Sequence, residues 1–223
     1  MKQVDIPEWL DTDSGTAKEI SDALVDLRHI NQRFGGIATM QSMVERVAQN
    51  SKLKSLAVLE VASGAGFVPE TVRQNLLSRG IELRITLLDR AKSHLPSVRK
   101  SNAIVGDALA LPFADSSFDI VDCNLFAHHL LPAQLLKFVN EGLRVCRIAL
   151  LINDLVRSIL HLALVYAGLP SFHSPLTRHD APVSVRRAYT IKEMKELLDK
   201  SQAAKIEIQN HYLCRMGVIA WKA

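Results

Sequence analysis

The pattern of apolar positions starts at the helical period and then changes. Ile20, Leu24, Leu27, Ile30 and Phe34 recur at steps of three and four, which predicts a helix closed by Gly35-Gly36. Ile37, Met40, Met43, Val44 and Val47 predict a second helix ending near Gln49-Asn50, with the methionines as ordinary core residues. From Leu56 the period shortens. Leu56, Val58, Leu59 and Val61 read as a buried strand, and Ile81, Leu83, Ile85 and Leu87 alternate with polar residues as a second. Further strands are expected over 103–105, 118–123 and 147–152, with helices over 69–78 and 132–143 between them. Strands alternating with helices, and no internal repeat, predict a mostly parallel α/β sheet.

The flanks are less regular. Residues 1–16 read as a loose lead-in, with Asp11, Thr12, Asp13 and Ser14 on offer as helix caps. An apolar helix is expected over 155–167, then a long irregular segment over 171–188 carrying Pro175 and Pro182. Loops of that length usually form lids or binding loops. Thr190 and Glu193 make a capping box for a last helix, and 205–211 and 214–221 read as a closing hairpin. The division is one domain over 1–223, with a helical cap at 1–50 and a lid-like insertion at 155–190.

Composition narrows the class. Hydrophobic residues make up 48% and the net charge is +4, without long basic blocks. A nucleic-acid partner is therefore not expected. Asn153, Asp154, Arg157 and His161 interrupt the apolar stretch after 148, which argues against a membrane span. Cys123, Cys146 and Cys214 are far apart and form no zinc pattern, so no metal is expected and the setting reads as a reducing cytoplasm. Pairing as a homodimer is left open.

The candidate chemistry sits after the first strand. Glu60 is followed by Ala62, Ser63, Gly64, Ala65 and Gly66, small residues that let a ligand lie against the main chain. Asp89, ending the second strand, follows Gly66 at close to the spacing of about 20 expected for a carboxylate on ribose hydroxyls. An adenosine-containing ligand is implied. Pro69 replaces the third glycine of the dinucleotide fingerprint. Pro170, Glu193 and Met216 stand four after the three tyrosines, where a short-chain dehydrogenase would want lysine.

These residues resemble the class I S-adenosylmethionine-dependent methyltransferases. Glu60, Gly64 and Gly66 match the first motif, with Ala62 for its first glycine. Asp89, Gly106-Asp107-Ala108, Leu111-Pro112-Phe113 and Phe118-Asp119 follow in the family's order. Within the class the chain looks most like small-molecule enzymes similar to those of ubiquinone and menaquinone biosynthesis. The resemblance implies a Rossmann-like, mostly parallel seven-stranded sheet with an antiparallel last strand. It also implies N-terminal helices over the cofactor or substrate opening. It implies S-adenosylmethionine as cofactor, bound by Glu60, Ala62, Ser63, Gly64, Gly66, Asp89, Arg90, Asp107, Ala108 and Asn124. Arg33 could reach the ligand's carboxylate but reads as a solvated surface arginine.

The acceptor side rests on fewer signals. His128 and His129 follow the fourth strand, where α/β sheets place their sites, and Asp154 ends the fifth; these are the candidate catalytic groups. Asp154 could equally cap a helix from Leu155. Arg157, His179, Arg186 and Arg187, with His173 and Arg178 nearby, are the candidates for holding an acidic or phenolate acceptor. The expected reaction is O-methylation of a small hydroxylated aromatic, quinone-like or polyketide acceptor. A nucleic-acid or protein methyltransferase and a cofactor-binding scaffold without turnover are the alternatives. Asn124-Leu125-Phe126-Ala127 lacks the prolines of the DNA amino-methylating motif.

Overall fold

The computed structural model describes residues 1–12, 14–95, 102–212 and 214–223. The Asp13 cap lies outside them. Seven strands form one sheet in the order β3-β2-β1-β4-β5-β7-β6. They are β1 (Ser55–Val61), β2 (Glu82–Asp89), β3 (Asn102–Val105), β4 (Phe118–Asn124), β5 (Cys146–Leu155), β6 (Lys205–His211) and β7 (Arg215–Trp221). Only β7 runs antiparallel to its neighbours β5 and β6. The chain order reverses between β1 and β4, which pair in parallel with Glu60 beside Asp122. Ligands in open α/β sheets bind beyond the strand ends at such a switch point.

Both sheet faces are covered. On one side α2 (Gly36–Ser51) and α3 (Phe67–Leu77) bury Met40, Met43, Val47, Val72 and Leu76 against β1 and β2. On the other, α4 (Pro132–Val145) and α7 (Ile191–Leu198) bury Leu135, Phe138, Val139, Met194 and Leu198. Two-sided burial explains the near-continuous apolar runs of the central strands. Phe138 and Leu59 are fully buried; truncating such side chains to alanine typically costs about 2–5 kcal/mol.

The flanks differ from the sequence reading at four places. The loose lead-in is a docked strap. Asp180 accepts the Trp9 and Leu10 amides at 2.9 and 3.0 Å, the Trp9 ring stacks on His179 at 3.8 Å, and Arg187 donates to the Ile6 carbonyl. Helix α1 (Ala17–Arg33) is capped by Thr16, not by a residue of 11–14. Strand β5 runs on through Asp154 and Leu155 because both pair with β7. The apolar helix α5 (Ile159–Gly168) therefore starts later, capped by Ser158. Finally, the supposed irregular segment contains α6 (Pro175–Arg187), with Ser174 as N-cap, Pro175 in its first turn and Pro182 inside. A proline inside a helix loses one hydrogen bond. Burial of Leu176, Pro182, Val183 and Val185 offsets that loss. Among the described residues no helix is long and apolar enough to cross a membrane.

Candidate active site

A cavity of about 800 Å³ opens over the carboxyl ends of β1, β2 and β4. Its floor is the β1–α3 loop. Ala62, Gly64 and Gly66 all have positive φ there, at 54°, 50° and 68°. The left-handed conformation costs a non-glycine residue roughly 1–2 kcal/mol, so Ala62 carries strain that a glycine would not. At Gly66 a Cβ would lie 2.6 Å from Leu87 Cδ1. Gly66→Ala is therefore expected to destabilise the fold by about 1–3 kcal/mol, read as a lower midpoint in urea unfolding.

Asp89 is buried, and both of its carboxylate oxygens hold the loop. Oδ2 accepts the Gly64 amide at 2.8 Å and Oδ1 the Ala91 amide at 2.9 Å. Each oxygen keeps a second lone-pair site. Asp107 turns its carboxylate to the Leu109 amide at 2.9 Å. Both are cavity residues, as are Glu60, Ala62, Ser63, Arg90, Ala108 and Asn124. Gly66 lies just behind, capping α3.

A ladder of amides crosses the strand ends. Arg215 donates to Asn153, Asn153 to Asn124 at 2.6 Å, and Asn124 to Glu60 Oε1 at 2.7 Å. Burial raises the pKa of both Glu60 and its neighbour Asp122, and the Glu60 charge raises Asp122 further, so the pair shares a proton. Glu60 Oε2 has no partner in the protein. Asp122 Oδ1 lacks a partner too, as expected of two carboxyls with one proton between them, whereas nothing lies within 4 Å of where a Cβ on Gly64 would stand, so the loop leaves room for a ligand against its main chain.

Across the cavity stands a second constellation. His128 Nδ1 meets Asp154 Oδ1 at 2.7 Å, its amide donates to Asp154 Oδ2 at 2.9 Å, and its Nε2 faces Glu8 Oε1 at 3.5 Å. Burial alone would lower the pKa of His128, but Asp154 and Glu8 outweigh it and push it up to about 10. Burial would raise Glu8, yet His128 and His129 bring it down to about 2, and Asp154 is likewise lowered against burial by His128. His128 is thus an imidazolium clamped between carboxylates. The sign of the pH dependence follows. The His128 contribution to stability is complete below about pH 6.5 and is lost as pH rises through about 10. The Glu8 contribution is complete above about 4.5 and is lost as pH falls through about 2. Urea unfolding across the alkaline range should show the wild type losing stability that His128→Gln never had.

His129 is more open. Its Nδ1 bonds Asp11 Oδ2 at 2.8 Å and its ring lies 4.1 Å from that of His128. Glu8, Asp11, His128 and His129 line the cavity, while Asp154 sits behind His128. The rest of this half is largely apolar: Leu24, Leu27 and Ile30 of α1, Leu164 and Val165 of α5, and Phe172. The helical stripe of α1 therefore faces the cavity, and Phe34 at its end is 54% exposed.

The four residues expected to hold the acceptor are not among those lining it. Arg157 donates to the Met1 and Ala188 carbonyls and pairs with Glu193. Arg187 donates to the carbonyls of Ile6, His128 and His129. His179 lies under Trp9, and the Arg186 carbonyl receives the Val4 amide. Arg33 is exposed, as expected. Conversely, Glu8, Asp11, Arg28, His161 and Arg215 line the cavity without having been singled out for it. Only His161 gave a signal, as a polar break in an apolar run.

Residues 59–149 match the family described as a methyltransferase domain. That stretch is less than half of the chain, and over it the chain is similar to methyltransferase domains. The matched stretch holds the glycine loop, Asp89, Asp107, Asn124 and both histidines. No curated relative matches the chain. Among solved structures it is similar to the plantazolicin methyltransferase BpumL in complex with a monoazolic desmethylPZN analog and SAH. That match has a TM-score of 0.69 and 14% identity, over 96% of this chain and 93% of that one. It is also similar to a SAM-dependent methyltransferase from Aquifex aeolicus (TM-score 0.55, 19% identity, 80% and 89% covered). A third is the magnesium protoporphyrin IX methyltransferase ChlM from Synechocystis PCC 6803 with bound SAH (0.56, 13%, 85% and 84%). At these identities the likeness is one of fold.

Proposed function

We propose that the chain is a class I S-adenosylmethionine-dependent methyltransferase that methylates an oxygen of a small, largely apolar acceptor: a hydroxylated aromatic, quinone-like or polyketide molecule. The observation that carries this is one cavity with two unlike halves, a glycine-loop half and an apolar half, meeting at His128 and His129. S-adenosylmethionine supplies a methyl group on a sulfonium; its S–C bond breaks as the O–C bond forms, and the acceptor's proton must go elsewhere.

The residues divide the work. Asp89, with two lone-pair sites free, takes the ribose hydroxyls, and Glu60 borders the amino-acid group. Asp107 and Ala108 meet the adenine edge, and Ala62, Ser63 and Gly64 follow the methionine part along the backbone. Arg90 and Asn124 border the same half. His128 is already protonated, so His129 receives the acceptor's proton; His128 and Asp154 hold the wall on which it stands. Leu164, Val165 and Phe172 replace the expected arginines as the acceptor's contacts.

An acceptor buried beneath α1, α5 and α6 favours a small molecule over a nucleic acid, in keeping with BpumL as a plantazolicin methyltransferase and ChlM as a magnesium protoporphyrin IX methyltransferase. The test is calorimetric binding of S-adenosylmethionine, followed by turnover on matched phenols, amines and carbon acids with the product read by mass spectrometry. Methylated phenols support the reading. Transfer to amines alone overturns the oxygen assignment, and binding without any turnover overturns the reaction.

A further inference from the structure

Three candidate ligand atoms converge on the acceptor wall, attracted by charge but not closely bonded to one another. His128 Nε2 lies 3.5 Å from Glu8 Oε1 and His129 Nε2 lies 3.9 Å from Glu8 Oε2, both beyond good hydrogen-bond length. Ligand atoms of the three residues all fall within 4.8 Å of one another. Four ligands around a zinc-sized ion at about 2.0–2.1 Å stand about 3.3 Å apart, so the spacing needs only a small contraction.

The other nitrogen of each ring is already engaged. His128 Nδ1 is held by Asp154 at 2.7 Å and His129 Nδ1 by Asp11 at 2.8 Å. A carboxylate on Nδ1 is the arrangement that orients metal-binding histidines, and at His128 the ion takes the place of the Nε2 proton, which is released to solvent on binding. Ser184 donates to Glu8 Oε1 at 2.9 Å and fixes the third group. All three residues line the cavity, so a fourth coordination position would face the acceptor. Two histidines and one glutamate with an open position make the donor set of a catalytic zinc-type site.

We propose that Glu8, His128 and His129 bind a divalent transition-metal ion of the zinc class at the acceptor end of the cavity. Chain spacing conceals the site, because Glu8 arrives on the N-terminal strap, outside the matched stretch 59–149. The ion would fasten the strap to the end of β4. The inference rests on reading this cavity as the acceptor site: with the ion bound, His129 Nε2 is a ligand, and the ion takes over the acidifying role the ring has alone.

The test uses the full, untagged chain freed of metal by chelator dialysis. Co²⁺ is titrated in while its visible absorption is followed, and Zn²⁺ is then used to displace it. One Co²⁺ per chain with intense four-coordinate bands is expected, with binding lost in His129→Ala and Glu8→Gln. Asp11→Asn should weaken it about 10–100-fold. His173→Ala, at a second grouping of Asp26, His29 and His173, should leave it unchanged. Circular dichroism shows whether each variant is folded, and His129→Ala, at a partly open site, keeps the test usable if Glu8→Gln is not. Absence of stoichiometric binding, or its retention in a folded His129→Ala chain, overturns the proposal. S-adenosylmethionine binding is measured on the same samples: its presence without Co²⁺ binding defeats this inference alone, and its absence defeats the reading beneath it.

Discussion

His129→Ala is expected to lower kcat by about 10²–10⁴-fold while leaving S-adenosylmethionine affinity unchanged. The ring stands on the acceptor wall, apart from the groups assigned to the cofactor, and takes part in no hydrogen bond with the glycine loop. Its removal leaves Asp11 to solvent, so the fold should survive. Single-turnover rates with saturating cofactor are the readout. A variant that binds the cofactor normally and still methylates a phenol at the wild-type rate would remove His129 from the chemistry, whether as base or as ligand.

Asp89→Ala should cost more in binding than in rate. Two hydrogen bonds donated by ribose hydroxyls to a charged carboxylate are worth about 1.5–3 kcal/mol each, so affinity should fall by at least about 100-fold. The variant also frees the Gly64 and Ala91 amides that the carboxylate holds. Asp89→Asn separates the two effects. Its amide keeps one acceptor oxygen for the loop but cannot accept from both ends, so its affinity should fall between the wild type and Asp89→Ala. Isothermal calorimetry on the three proteins decides it. Equal affinities would place the ribose elsewhere.

What the sequence revealed, and what it hid, follows from the range of the forces involved. The strands, the glycine loop and the acidic strand ends are local patterns of side-chain period and backbone permissiveness, and they stand where periodicity put them. The seven-stranded order with one antiparallel strand came from the resemblance, not from the pattern. The misses are all long-range. Pro175 and Pro182 suggest a broken chain, yet α6 forms because its buried face and the strap repay the lost bond. Asp154 looks like a helix cap until β7 is seen to extend its strand. Arg157 and Arg187 look free to grip a ligand, but backbone carbonyls from distant segments claim them first. Glu8 belongs to a stretch with no pattern, and only folding brings it to the histidines.

The docked strap has a consequence for how such an enzyme changes partners. The cofactor groups from Glu60 to Asn124 occupy one continuous stretch, whereas the strap, α1, α5 and α6 that wall the acceptor half come from outside it. On the proposed function, donor chemistry and acceptor choice lie in separable parts of the chain. A chimera carrying another enzyme's leader and its matching α5–α6 segment should inherit that enzyme's acceptor while keeping this one's cofactor affinity. Exchanging the leader alone should fail, because Asp180 and Arg187 would be left holding a chain that does not fit them.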